Sequence, residues 1–186
     1  MVTLLAVIVG AGIGIVANLL HARYQDFRLC KAIAGSLAGE IEGLIRAVER
    51  RNYLAGLDAL LAQQRAAQLA AQRTSAAGGG GPVQVRLPVF GPRISFNYFA
   101  VFDKTCDKIG LLGEVSGEVA LLYTLAKGVV EDMNLLREGT EFQSADEVIE
   151  FHQELRDILA EQLDRGRTLI QQLRAMQNER FLYLFS

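Results

Sequence analysis

The sequence predicts an all-α protein: an N-terminal transmembrane helix running into a long stalk helix, with two shorter helices folded back as an antiparallel coiled-coil bundle and a short extended or hairpin-like insert. Three observations predict it. Residues 2–20 carry no charged side chain, residues 21–73 contain no proline and repeat apolar residues at helical steps, and two more helix-period stretches follow a Gly/Pro-rich interruption. The boundaries follow: an anchor over 1–20, a stalk over 21–73, a linker and extended insert over 74–101, and a helical hairpin over 102–186.

The anchor comes first. About 20 apolar residues rising ~1.5 Å each cross ~30 Å of hydrocarbon, and 2–20 offers that run with only Thr3 and Asn18 as polar interruptions. A cleaved signal would begin with a basic stretch and end in a small-x-small site. Here no Lys or Arg precedes the run, and Ala17 is followed by Asn18-Leu19-Leu20, a poor cleavage context. An uncleaved single-pass anchor is therefore expected. Arg23, Arg28 and Lys31 follow it directly, so the positive-inside rule puts the C-terminal body in the cytoplasm, at a bacterial inner membrane. Ala6, Gly10, Gly14 and Asn18 recur every four residues and share one helix face. Small residues at that spacing let helices approach closely, and an intramembrane Asn bonds across the contact, although Gly and Ala are also common in spans that pair with nothing.

The stalk is built of Ala, Leu, Gln, Glu and Arg, all good helix formers. Phe27, Cys30, Ala34, Leu37, Ile41, Leu44 and Val48 step by three and four, the seam of a helix lying along another helix. The seam loses phase at Arg50-Arg51-Asn52-Tyr53 and resumes at Leu54, Leu57 and Leu61, which predicts a kink, a short break or a change of packing partner there. Unbroken to residue 73, the helix would reach ~100 Å. Gly35, Gly39 and Gly43 lie opposite the seam, in line with the Ala6–Asn18 stripe. Each costs ~0.5–1 kcal/mol against Ala, so either they form a smooth face on which copies pack or they face solvent on a softened helix.

Residues 74–82 (Thr-Ser-Ala-Ala-Gly-Gly-Gly-Gly-Pro) read as a flexible linker; no Lys-Ser/Thr follows the glycines and no strand leads into them, so they are not a phosphate loop. Alternation through Val83, Val85 and Leu87, then Ile94, Phe96 and Tyr98, suggests two extended pieces about Phe90-Gly91-Pro92-Arg93, confined to an edge or loop by the prolines.

A helix is expected from about 114 to 137, its apolar face running through Val115, Val119, Leu122, Leu125, Ala126, Val129, Val130 and Met133. Ahead of it, Asp103 reads as a turn or helix-start residue and Gly110 as a helix stop. The stretch Phe102-Asp103 … Ile109-Gly110-Leu111-Leu112 with Tyr123 resembles one that recurs in uncharacterised bacterial proteins with one N-terminal span and a helical body. It covers about residues 98–135, and it implies a bacterial, membrane-anchored helical protein without implying a role for any residue. Ser144-Ala145-Asp146-Glu147 forms a capping box that opens a last helix to about 180. The apolar end Phe181-Leu182-Tyr183-Leu184-Phe185 is expected to pack into the bundle, with the lipid interface or a docked partner as the other readings.

Chemistry is not in evidence. The two histidines, His21 and His152, have no Cys or carboxylate at metal-ligand spacing, and Cys30 and Cys106 form no framework. Cys30, on an apolar helical position, reads as a buried thiol, with acylation near the membrane as the other reading. No nucleophile elbow, kinase signature or Glu-x-x-His pair occurs, and Glu150, Glu154, Asp157, Glu161 and Asp164 read as a solvated face. A formal charge of −2 gives no basic surplus for nucleic acid. The expectation is a non-enzymatic protein without cofactor, metal or evident small-molecule substrate. Its partners would be the lipid bilayer and a second copy or another protein's helix. It would act as a tethered scaffold or adaptor, or alternatively as a small oligomeric effector that forms pores or disrupts the envelope in a phage or defence system.

Overall fold

The helix formers of the first fifty residues, uninterrupted by proline, make one helix, α1 (Val2–Arg50). α2 (Tyr53–Ala76), α3 (Ala100–Thr105), α4 (Val115–Glu138) and α5 (Ala145–Asn178) follow, with 3-10 turns at Phe96–Phe99 and Cys106–Leu112. The computed structural model describes residues 2–76, 96–138, 142 and 144–179, and side-chain surroundings over 11–74, 98–135, 142 and 144–179. Among them the chain is all-α, with five helices and no strand.

The stalk is two helices. α1 ends where the apolar seam loses phase, Asn52 takes a left-handed φ of 53°, and α2 starts at Tyr53. The break does not reverse the chain. α5 lies antiparallel along both pieces: Arg174 and Arg167 pair with Glu42 and Glu49 of α1 at 2.6 and 2.8 Å, and Arg156 pairs with Asp58 of α2 at 3.0 Å. Further along, Arg65 donates to Gln153 at 2.8 Å and Gln68 to Asp146. Each step forward along α1 and α2 is matched by a step back along α5, so one 34-residue helix splints the joint. α4 runs antiparallel to α5, and Arg165 reaches Glu118 at 3.5 Å.

Two apolar clusters meet at the joint. One joins Ile33, Leu37, Ile41 and Ile45 of α1 to Val119, Leu122 and Tyr123 of α4 and to Leu163, Ile170 and Leu173 of α5. The other joins Tyr53 and Leu57 to Val129, Met133, Leu155 and Leu159. Val48 and Leu54 touch both. α1 and α5 pack tightly at Gly166, where a Cβ would stand 3.0 Å from Ile45 Cδ1 and 3.3 Å from Ile41 Cγ2.

Several expectations change. α2 continues to Ala76, into the expected linker. Phe96 and Tyr98 belong to a 3-10 turn and lead into α3, so this end of the expected extended insert is helical. Packing on α1 offers these residues a helical partner and no sheet edge. The stop before α4 is Gly113, in the left-handed region at φ 59°, and Gly110 lies inside the second 3-10 turn. Ser144 does cap α5, its hydroxyl accepting from the Glu147 N–H at 3.2 Å. The insert over 83–95 and the apolar tail over 181–185 lie outside the described residues.

Candidate functional site

Three features have functional potential: the N-terminal part of α1, a polar knot at Glu40, and a cavity beside the helix joint.

From 11 to 26 every residue of α1 is exposed. Ile13, Ile15, Val16 and Leu19 keep 56–66% of their surface and Leu20 keeps 43%. Burying such side chains is worth roughly 1.5–3 kcal/mol each, so this segment leaves a sizeable apolar demand unmet by the described residues. Among the described residues no helix is long and apolar enough to cross a membrane. The described side chains hold only 11–20 of the expected span, about 15 Å of the ~30 Å required. Ala6 and Gly10, at the start of the small-residue face, have side-chain surroundings outside the described set. Gly14 and Asn18 are exposed.

The remainder of that face divides. A Cβ on Gly35 would stand 2.7 Å from Nε2 of the exposed Gln177 side chain at the end of α5, so this glycine lies beside α5. Gly39 and Gly43 are exposed, with nothing among the described residues within 4 Å of an added Cβ. On the seam, Leu37 and Ile41 are buried while Phe27, Leu44 and Val48 are half-buried. α1 is flanked by α5 on one side and by α3, α4 and the second 3-10 turn on the other. Its buried face is therefore wider than a two-position seam and takes in Ile33, Ala38 and Ile45. Cys30 is half-buried and burial raises its thiol pKa, while Cys106 is exposed.

The knot sits at Glu40. Its carboxylate accepts the Val101 and Phe102 N–H groups at 2.7 and 3.1 Å and the Tyr123 hydroxyl at 2.7 Å. The Phe99 N-cap of α3 makes no side-chain cap bond, so a carboxylate from α1 caps that helix instead. Tyr123 stacks on Phe102 with centroids 4.1 Å apart, and Lys127 pairs with Asp103. Burial, then the bond to Glu40, raises the Tyr123 pKa. These groups position α3 and α4 on α1. A second buried polar pair lies between α2 and α5, where His152 Nδ1 is 2.8 Å from the Val148 carbonyl and 3.3 Å from Gln64 Nε2. Desolvation lowers the His152 pKa.

The cavity has a volume of about 120 Å³ and lies where α1, the start of α2, α4, α5 and the first 3-10 turn meet. Its side-chain wall is carbon except for Arg51, three tyrosines, Gln162 and the Met133 thioether. Arg51 donates to the Tyr53 hydroxyl at 2.7 Å and to the Tyr98 hydroxyl at 3.3 Å. Gln162 is 8% exposed, and among the described residues neither atom of its buried amide has a hydrogen-bond partner.

Sequence reasoning passed over Glu40, Gln64 and Gln162, and weighed His152 only as a metal ligand. The available signal was a polar residue in register with an apolar stripe: His152 lies four after Val148 and three before Leu155, and Gln64 lies three after Leu61. Among the described residues no group of three or more His, Cys, Asp or Glu side chains could hold a metal ion. Comparison with protein-family models, curated proteins and solved structures finds no match for this chain. The class its geometry defines is an all-α bundle splinted by one long helix, with an apolar helical extension.

Proposed function

We propose that this protein is a non-catalytic scaffold whose α1 extension tethers a helical body to a lipid bilayer, where it self-associates or holds a partner helix. The observation that carries the reading is the row of exposed aliphatic side chains at Ile13, Ile15, Val16, Leu19 and Leu20, on a helix that runs unbroken into the bundle. The sequence continues this apolar character back to Val2, which gives a run of membrane-crossing length. Arg23, Arg28 and Lys31 then favour a cytoplasmic body. The open faces at Gly14, Gly39 and Gly43 support close approach of a second helix, through Asn18 where the contact lies in lipid. Functions that require a polar catalytic cleft find less support, because the polar clusters described hold helices together.

The test is flotation of the full chain with phospholipid vesicles, beside Ile13→Lys/Val16→Lys and Gly10→Leu/Gly14→Leu. Each charge near mid-bilayer costs roughly 2.5–3.5 kcal/mol, so the lysine variant should stay with the soluble fraction. The leucine variant should float but lose crosslinked oligomers. A wild-type chain that fails to float would overturn the tether, and unchanged crosslinking in the leucine variant would overturn the association face.

A further inference from the structure

Arg23 and Arg28 are exposed cations, and among the described residues neither meets a carboxylate. On the bundle, by contrast, Arg46, Arg156, Arg165, Arg167 and Arg174 each lie within 3.5 Å of one. The imbalance is local. Residues 1–39 hold Arg23, Arg28 and Lys31 against a single carboxylate, Asp26, a surplus of two positive charges in a chain whose formal charge is −2. At ~100° per residue, Arg23, Lys31, Tyr24 and Arg28 fall within one sector of ~140° on α1, and Asp26 lies ~60° outside it. Lys31 donates to the Glu179 carbonyl at 2.9 Å, which sets the end of α5 at the rim of that sector.

The sector begins where the apolar row stops. Arg23 lies ~4.5 Å past Leu20 along the helix axis, Arg28 ~12 Å and Lys31 ~16 Å. With Ile13 to Leu20 in hydrocarbon, those levels cover the headgroup layer and about one Debye length of water beyond it, ~8 Å at physiological salt. Helical Cα–Cβ bonds tilt toward the helix N-terminus, which here is the membrane side, so Arg23 and Arg28 are aimed at the headgroups. Tyr24, 44% exposed in the same sector, is an amphipathic ring of the kind that favours this layer. We propose that the sector binds the phosphates of anionic phospholipids in the leaflet facing the body; the proposal rests on the membrane tether above and adds a lipid class to it. The planar guanidinium fork matches phosphate oxygens and gives up its weak hydration readily. A zwitterionic headgroup offers the same phosphate but cancels its charge with its own ammonium, so a net-negative lipid gains more. An acidic protein segment would match the charge, but headgroups already occupy this level of α1 once the apolar row is in lipid.

The test reconstitutes the full chain in phosphatidylcholine vesicles holding a trace of spin-labelled phosphatidylglycerol or spin-labelled phosphatidylcholine. The motionally restricted share of each label gives its relative affinity for the protein. The wild type should prefer the glycerol lipid about fivefold, the effect of one basic residue near a charged surface, and the preference should vanish in ~1 M KCl. Arg23→Gln/Arg28→Gln should lose it, whereas Arg50→Gln/Arg73→Gln, which removes the same charge ~40 Å or more along the helices, should keep it. Equal affinity for the two labels in the wild type overturns the proposal. So does a preference that survives in Arg23→Gln/Arg28→Gln or falls as far in Arg50→Gln/Arg73→Gln. A chain that fails to float with phosphatidylcholine vesicles sinks the tether and this site together. One that floats without lipid preference sinks the site alone and leaves an acidic protein as the partner of these arginines.

Discussion

The Tyr123 hydroxyl on α4 donates to the Glu40 carboxylate on α1 at 2.7 Å, across 83 residues of sequence, and the same carboxylate caps α3. One side chain thereby links three helices. Glu40→Ala leaves three donors without that acceptor and should cost about 2 kcal/mol in urea unfolding, while Tyr123→Phe should cost about 1 kcal/mol. The double variant should fall short of the sum, because both changes remove the same bond.

The same pair governs stability at alkaline pH. Burial and Glu40 hold the Tyr123 pKa above its ordinary 10, so the unfolded chain releases this proton first. The stabilisation is complete below pH ~10 and is lost as pH rises toward the folded pKa. Unfolding midpoints measured from pH 9 upward should decline more steeply in the wild type than in Tyr123→Phe.

His152 acts at the opposite end. Desolvation lowers its pKa from 6.5, so below that pH the unfolded chain binds the proton more readily than the folded one. Stability is complete above pH ~6.5 and falls as the pH drops toward the lower folded value. His152→Leu should flatten that part of the profile, as read by thermal unfolding between pH 7 and 5.

Two glycines should respond oppositely to substitution. Gly166 has Ile45 Cδ1 and Ile41 Cγ2 at 3.0 and 3.3 Å from an added Cβ, and Ile41 is β-branched and buried. Gly166→Val should therefore push α1 and α5 apart at a cost of about 1–3 kcal/mol. Gly39 has nothing among the described residues within 4 Å, so Gly39→Ala should stabilise the fold by about 0.5–1 kcal/mol. If copies pack on this face, the same variant will also weaken crosslinking.

The joint at Asn52 is the last point of test. Its φ of 53° is a conformation that Asn and Gly accept and branched residues resist. Asn52→Gly should change the unfolding free energy little, and Asn52→Val should lower it by about 1–2 kcal/mol.

Helix content, the position of the stalk's interruption and the start of the last helix were all legible in the residues. Each is a local property: propensity without proline, the phase slip at Arg51-Asn52, and the Ser144 cap. The apolar character of residues 2–20 is likewise a matter of composition. Tertiary structure alone decided that α5 bridges the break, that Gly166 serves a contact within the chain, and that Gly113 is the stop. It also decided that Glu40, Gln64, His152 and Gln162 turn inward. Periodicity ranks side chains by hydrophobicity, so a polar residue on a buried stripe looks like an interruption until a neighbour from a distant segment supplies its partner. The cavity is the extreme case, because no short stretch of sequence encodes a space bounded by five separate elements.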